Sequence, residues 1–177
     1  TVKAVHAAFM SKRIAREALE QATGIEHSLF WNCSQSSEHC KGRPDLYGDG
    51  WGADLKISRH AAERSVAFRA YVEGWMHQIA HYSNGAAHNG LHWKHHRLIV
   101  IGPAPPQEFR VFCVEIKEAA IEMLCLENER TLADLRRCRM SGEWPGTPDD
   151  WRTIEPPQSA MFVTASMTGA IEIGEAE

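Results

Sequence analysis

Two carboxylates and a lysine lie close together in the sequence, in an order that suits phosphodiester hydrolysis. Asp45 follows a proline, and nine residues later Asp54 and Lys56 stand on either side of Leu55. In a strand over 53–57, alternation places Asp54 and Lys56 on the same face. Mg²⁺ takes such carboxylates as ligands, with the Leu55 backbone carbonyl as a further oxygen. The ion can activate water, and the lysine can orient that water or offset developing negative charge.

Two further polar residues extend this set. Gln78 and Tyr82 are four positions apart in a segment predicted to be helical, so they share one helix face. From that face, an amide and a phenol can hold the lysine, the water or the scissile phosphate. The predicted catalytic residues are therefore Asp45, Asp54, Lys56, Gln78 and Tyr82, and the predicted metal ligands are Asp45, Asp54 and the carbonyl of Leu55.

Helices and strands that must position these residues are indicated by hydrophobic periodicity. The predicted helices cover 2–22, 61–82 and 119–140, and Ser83-Asn84-Gly85 is expected to end the second. The predicted strands cover 28–32, 40–46, 53–57, 97–101 and 109–116, the first two as a hairpin. The apolar run 97–101 is typical of a strand buried on both faces. This order predicts an α/β fold with a mixed central β-sheet flanked by helices.

Composition limits the class of protein. The chain has 177 residues, 44% hydrophobic and 24% charged, which suits one globular domain. A net charge of −4 argues against coating nucleic acid by bulk electrostatics, although a confined basic groove remains compatible with it. Five irregularly spaced cysteines without a CxxC pair argue against a zinc ribbon or disulfide framework. No apolar run approaches a membrane span and no signal peptide is recognisable, so a cytoplasmic location is the default expectation.

Histidines cluster in two places. Lys94, His95 and His96 end a segment predicted to be a polar loop, and Arg97 begins the next predicted strand; together these four residues can grip a DNA backbone. A solvated loop without a ligand is an equally good interpretation. His77 and His81 have the spacing of a helical zinc pair, but no third ligand accompanies them. Histidines on a helix surface are the favoured interpretation of that pair.

At the catalytic residues, the chain resembles the PD-(D/E)xK nuclease superfamily. Pro44-Asp45 and Asp54-Leu55-Lys56 stand at the positions that give the superfamily its name, and Gln78 to Tyr82 matches the QxxxY motif of its RecB-like exonuclease branch. Within that branch, the chain is similar to the nuclease domains of RecE-type phage exonucleases. The similarity covers roughly residues 5–146, with landmarks at 26–31, 40–45, 130–134 and 143–145.

The resemblance implies a restriction-endonuclease-like core, with a nuclease domain over 1–146. Beyond it the hydrophobic periodicity is lost and prolines recur, so we expect a loosely structured C-terminal tail over 147–177. It implies a Mg²⁺-dependent exonuclease, with Mn²⁺ able to substitute, that degrades linear double-stranded DNA from 5′ to 3′ in phage or prophage recombination. It also implies a homo-oligomeric ring and a single-strand annealing protein as partner, in a bacterial cell or phage-infected host.

Other interpretations stay open at this stage. An endonuclease or single-strand-specific repair nuclease of the same superfamily is one alternative, and a DNA-binding domain that no longer cuts is another. The family usually takes one more metal ligand from a helix upstream of the Pro-Asp strand. Only 43 residues precede Pro44 here, and His6 and Glu26 are the candidates to replace that ligand.

Overall fold

The computed structural model describes residues 2–59, 63–104 and 107–146. Its elements are α1 (Val2–Ser11), α2 (Arg13–Glu20), β1 (Gly24–Ile25), β2 (Leu29–Asn32), β3 (His39–Gly42), β4 (Leu46–Gly48), β5 (Trp51–Ile57), α3 (Glu63–Val72), α4 (Trp75–His88), β6 (His95–Ala104), β7 (Gln107–Ile116) and α5 (Glu118–Ser141). The chain divides into two units, Thr1–Glu143 and Trp144–Glu177, and the first contains all of these elements. The predicted tail over 147–177 lies outside the described residues. No helix in the described part is long and apolar enough to cross a bilayer.

The central feature is a five-stranded mixed sheet in the order β1-β4-β5-β6-β7. Only β5 and β6 run parallel, and the other neighbours are antiparallel. Strand β6 is buried on both faces: Leu98 and Val100 belong to the core with α4 and α5, whereas Ile99 and Ile101 belong to the core with α1 and α2. This alternation follows from the two-residue period of a strand. The predicted fold class is confirmed.

A two-stranded sheet, β2 with β3, packs against α4 and explains why that helix is longer than predicted. Ser83-Asn84-Gly85 does not end the helix, which continues to His88. The reason is close packing at Gly85, where an added Cβ would lie 2.5 Å from Cζ3 of Trp31. Glycine is therefore retained inside this helix because it admits the indole of Trp31, despite its poor helix propensity.

Two of the predicted helices are interrupted. The helix expected over 2–22 is two helices that meet at Lys12, whose backbone is extended, after the Ser11 hydroxyl donates to the Ala8 carbonyl at 2.7 Å. Such a side-chain bond competes with the helical pattern and helps to end α1. The helix expected over 61–82 is divided by Gly74, which has a φ of 74° that favours glycine. Because of these breaks, α1 and α2, and likewise α3 and α4, can follow different directions.

The segment predicted as one strand over 40–46 is also divided. Pairing of β2 with β3 stops at Gly42, and pairing of β4 with β5 begins only at Leu46. The buried Pro44 lies in the gap. Proline has no N–H for a strand ladder, so the chain leaves one sheet before Pro44 and joins the other after it.

Candidate active site

The two acidic residues meet where the pairing of β4 with β5 ends. The ladder joins Gly48 to Trp51, Tyr47 to Gly52 and Leu46 to Ala53, so the next position would place Asp45 opposite Asp54. Instead the ladder stops there, and a carboxylate oxygen of Asp45 accepts the Leu55 N–H at 2.6 Å. The side chain thereby takes the place of a backbone acceptor. Both acids are held at the point where β4 leaves β5.

Leu55 presents its backbone polar groups toward the same point. The N–H and C=O of one strand residue point to the same side of the strand. Because the Leu55 N–H meets Asp45, the Leu55 carbonyl faces the edge that β4 has left. Its side chain packs on the opposite face of the sheet from Asp54, near the core with α1 and α2. The geometry is compatible with the Leu55 carbonyl as a metal ligand, which stays a prediction.

Lys56 belongs to a contact row of four side chains, namely Asp54, Lys56, Gln78 and Tyr82. Its ammonium contacts the Asp54 carboxylate and donates a hydrogen bond to Oε1 of Gln78 at 2.5 Å. Nε2 of Gln78 in turn donates to the hydroxyl of Tyr82 at 2.6 Å. The row joins alternate residues of β5 to residues one turn apart on α4. Four of the five predicted catalytic side chains are thus in direct contact, and Asp45 lies beside them.

Burial gives this site unusual electrostatics. Asp54 is 2% exposed, and burial together with the nearby Asp45 carboxylate raises the pKa of Asp54 to about 6, although Lys56 opposes this. Burial also raises the pKa of the Tyr82 phenol, although its hydrogen bond with Gln78 opposes the increase. A buried carboxylate with a raised pKa beside a second carboxylate is poorly solvated. Such a group gains from any cation that replaces its lost water.

Replacing Asp54 by asparagine is expected to stabilise the metal-free protein above pH 6. A carboxyl whose pKa rises on folding favours folding while it is protonated, so its contribution is full below pH 4 and is lost as pH rises through about 6. A shift from 3.8 to about 6 corresponds to a contribution on the order of 3 kcal/mol. Urea unfolding from pH 4 to 8, with chelator, measures the difference between the two proteins. His81 and His96, whose pKa values burial lowers, are present in both and cancel. Equal pH profiles for the two proteins would contradict the prediction.

Gly42 provides the space for Tyr82 and is a residue that sequence patterns did not single out. An added Cβ at Gly42 would lie 2.7 Å from Cδ1 of Tyr82 and 3.4 Å from Cη2 of Trp31. The only sign in the sequence is a glycine inside a strand, which often marks a close approach of other groups. Gly42 therefore fixes the position of Tyr82 and, through Gln78, of Lys56.

Substituting alanine at Gly42 is expected to reduce activity through this steric route. Overpacking of this kind costs about 1 to 3 kcal/mol of stability and displaces the phenol from Gln78. The check is a double-mutant cycle of Gly42→Ala with Tyr82→Ala, in which urea unfolding gives the free energy of unfolding of each variant. Once the ring is absent, Gly42→Ala should cost much less. Additive effects of the two substitutions would sink this explanation.

The oxygen donors of Asp45, Asp54 and Leu55 suit Mg²⁺ better than they suit a metal whose ligands are all protein side chains. Within residues 2–59, 63–104 and 107–146, no three His, Cys, Asp or Glu side chains are grouped so as to hold a metal ion. Magnesium needs no such group, since it usually binds through one or two carboxylates and keeps waters or substrate phosphate oxygens as its remaining ligands. Asp45, Asp54 and the Leu55 carbonyl provide that kind of partial shell. The two candidate replacement ligands, His6 and Glu26, line a cavity of about 440 Å³ together with Asp45 and Leu55.

The four residues predicted to bind DNA do not form a single exposed loop. Strand β6 begins at His95 and not at Arg97, so the predicted loop is wrong at His95 and His96. His96 is buried, and its ring contacts the Ser83 hydroxyl at 2.8 Å. His95 and Arg97 both contact Glu115, whereas Lys94 is exposed. Because β5 and β6 align His95 with Trp51, this cluster lies about 10 Å along the sheet from Asp54.

The possible zinc pair is separated into two different environments. His77 contacts Glu127 at 3.0 Å, on the side of α4 that faces α5. The ring of His81 packs on that of Trp31, with centroids 4.6 Å apart, so this histidine is partly buried rather than on the helix surface. Both rings therefore have packing partners of their own.

Comparisons with known proteins identify a similar fold. No family model and no curated protein matches the sequence. A crystal structure at 2.19 Å of a candidate exonuclease from Eubacterium rectale superposes with a TM-score of 0.58 at 16% identity. The match covers 92% of this chain and 64% of that protein, so this chain spans less than two thirds of its length. The similarity extends over nearly all of the present chain and concerns its fold.

Proposed function

We propose that this chain is a magnesium-dependent deoxyribonuclease, a RecE-like exonuclease that degrades linear double-stranded DNA. The observation that carries the proposal is the contact row of Asp54, Lys56, Gln78 and Tyr82 beside Asp45. A divalent ion bound there would supply an activated water and neutralise the phosphate. The fold similarity to a candidate exonuclease supports the same class of reaction.

The protein side chains have separate tasks in this proposal. Asp45 and Asp54 would hold the metal, and Mn²⁺ would be able to replace Mg²⁺. The Lys56 ammonium positions the attacking water and offsets charge on the phosphate as the bond breaks. Gln78 accepts from that ammonium and donates to Tyr82, so the two residues on α4 fix where the charge of Lys56 lies. Tyr82 is buried against Gly42, which makes its end of the row rigid.

The direction of cutting and the assembly rest on the resemblance to RecE-type exonucleases. We propose 5′ to 3′ degradation, a homo-oligomeric ring and cooperation with a single-strand annealing protein in phage or prophage recombination. A cytoplasmic location in a bacterial or phage-infected cell belongs to the same proposal.

Substrate topology tests the proposal. The protein should release nucleotides from linear duplex DNA in Mg²⁺ and leave closed circular duplex intact. End-labelled linear DNA then gives the direction, since 5′ to 3′ degradation releases a 5′ label first. Cleavage of closed circles would instead assign an endonuclease, and cleavage of single strands alone would assign a single-strand-specific nuclease. Binding of DNA without any cleavage would assign a domain that has lost catalysis.

A further inference from the structure

The outer face of the β2–β3 sheet carries an aromatic ring and two cations that lead to the candidate active site. From residue 39 to residue 44, exposed and buried positions alternate without interruption, and the half-buried Asp45 follows. The exposed positions of this row are His39, Lys41 and Arg43. Residues 39–42 of this row belong to β3, and the row continues through Arg43 and Pro44 to Asp45.

Phe30 stands beside this row in an unusual position for an aromatic residue. The register of β2 with β3 places it directly opposite Lys41, and its ring is 64% exposed. The Lys41 ammonium lies 5.7 Å from the ring centroid. Behind the ring the strand is firmly held, since Asn89, the residue that follows α4, donates to the Phe30 carbonyl at 3.2 Å. An exposed ring on a fixed strand loses little conformational freedom when a flat ligand stacks on it.

The two cations are available to an anionic ligand. Lys41 has no carboxylate partner among the ion pairs of the described residues, and its contact is with the Phe30 ring. Arg43 faces Glu26 at 3.8 Å, with both side chains more than half exposed. An exposed pair of this kind contributes little and is readily exchanged for a phosphate. In a protein with a net charge of −4, this is a local positive strip.

We propose that Phe30, Lys41 and Arg43 form a track for single-stranded DNA. A base stacks on Phe30 and neighbouring phosphates contact Lys41 and Arg43. This combination of a stacking ring with cations along a backbone path is how proteins bind single strands without reading sequence. One part of the inference rests on the proposed function, namely that the track leads a DNA strand to Asp45, where the strand is cut.

Binding measured without turnover tests the track separately from catalysis. The probe is a short fluorescein-labelled oligo(dT), titrated with the protein in chelator at several salt concentrations. Each phosphate contact on a single strand contributes about 0.7 to the slope of log K against log salt. The Lys41→Gln/Arg43→Gln double variant should therefore lower that slope by about 1.4. Phe30→Ala should weaken binding about 5- to 150-fold with no change in slope. Phe30→Trp keeps an aromatic ring and should bind as the unaltered protein does.

Matched control substitutions are made at the start of α2. This helix packs on the face of the five-stranded sheet opposite to α4. Ile14 is 51% exposed and Lys12 is exposed nearby, so Lys12→Gln and Ile14→Ala remove a charge and an apolar surface away from the track. These variants should bind oligo(dT) as the unaltered protein does. The inference would be overturned if the track variants and the control variants bound oligo(dT) with the same affinity. It would also be overturned if the track variants lost binding to blunt duplex DNA as strongly as binding to oligo(dT). Track binding without nuclease activity would contradict the proposed function alone, and cleavage without track binding would contradict only the track.

Discussion

Replacing Lys56 by alanine is expected to lower kcat on linear DNA by about 10²- to 10⁴-fold. The ammonium lies between Asp54 and Gln78, so its loss removes the positive charge that the proposal assigns to the attacking water and the phosphate. Removing one such preorganised group from an active site typically has an effect of this size. Single-turnover cleavage of end-labelled linear duplex in saturating Mg²⁺ measures the chemical step.

The matched control for this experiment is Lys117→Ala. Lys117 is exposed and precedes α5, and it makes no contact with the contact row of Asp54, Lys56, Gln78 and Tyr82. Its replacement removes one positive charge, as Lys56→Ala does, so a general loss of attraction for DNA would affect both variants equally. Activity of Lys56→Ala at the rate of the unaltered protein would rule out the proposed role of the lysine.

Replacing Asp45 by asparagine is expected to weaken Mg²⁺ binding at least about 100-fold. Loss of a group that only supports a metal ligand typically costs 10- to 100-fold in affinity, so loss of a direct ligand should cost at least the upper value. The amide oxygen of asparagine can still accept the Leu55 N–H, so the edge of β5 should keep its structure. Isothermal titration with Mg²⁺ and Mn²⁺ gives the affinity without reference to catalysis.

Asp49→Asn is the control for that substitution. Asp49 is an exposed acid in the turn between β4 and β5, four residues from Asp45. Removing its charge should leave the metal affinity nearly unchanged. If Asp45→Asn and Asp49→Asn behave alike, then Asp45 is not a ligand and the metal site lies elsewhere.

The contact row of Asp54, Lys56, Gln78 and Tyr82 could be predicted from the sequence because it depends on local periodicity. Alternation along β5 is enough to place Asp54 and Lys56 together, and helical spacing is enough to place Gln78 and Tyr82 together. Each pair needs only the type of element to be right. The QxxxY resemblance then indicated that the two pairs belong to one site.

Features that depend on contacts distant in sequence could not be predicted in the same way. Gly85 looks like a helix breaker until the Trp31 ring that fills its space is known. The break at Gly74 depends on a left-handed backbone conformation, which a glycine permits but does not require. Likewise, His96 looks like a loop residue until β6 is seen to begin at His95.

One missed feature did have a signal in the sequence. Residues 39–45 alternate between polar and small or apolar types, and Phe30 lies in the preceding strand of the predicted hairpin. That pattern predicts an outer face with cations at Lys41 and Arg43. Its functional meaning appears only when the register places Phe30 opposite Lys41 and the row is seen to end at Asp45.

The most direct test of the central claim is the rate of nucleotide release from linear duplex DNA, measured with Mg²⁺, after chelation and after the metal is restored. The proposed site requires release with Mg²⁺, none with chelator, and recovery when Mg²⁺ or Mn²⁺ is added back. Because Asp45 and Asp54 are the proposed ligands, the Asp54→Asn variant should stay inactive in all three conditions. Release that continues in chelator, or that persists at full rate in Asp54→Asn, would contradict the assignment of Asp45 and Asp54 to a metal-dependent nuclease site.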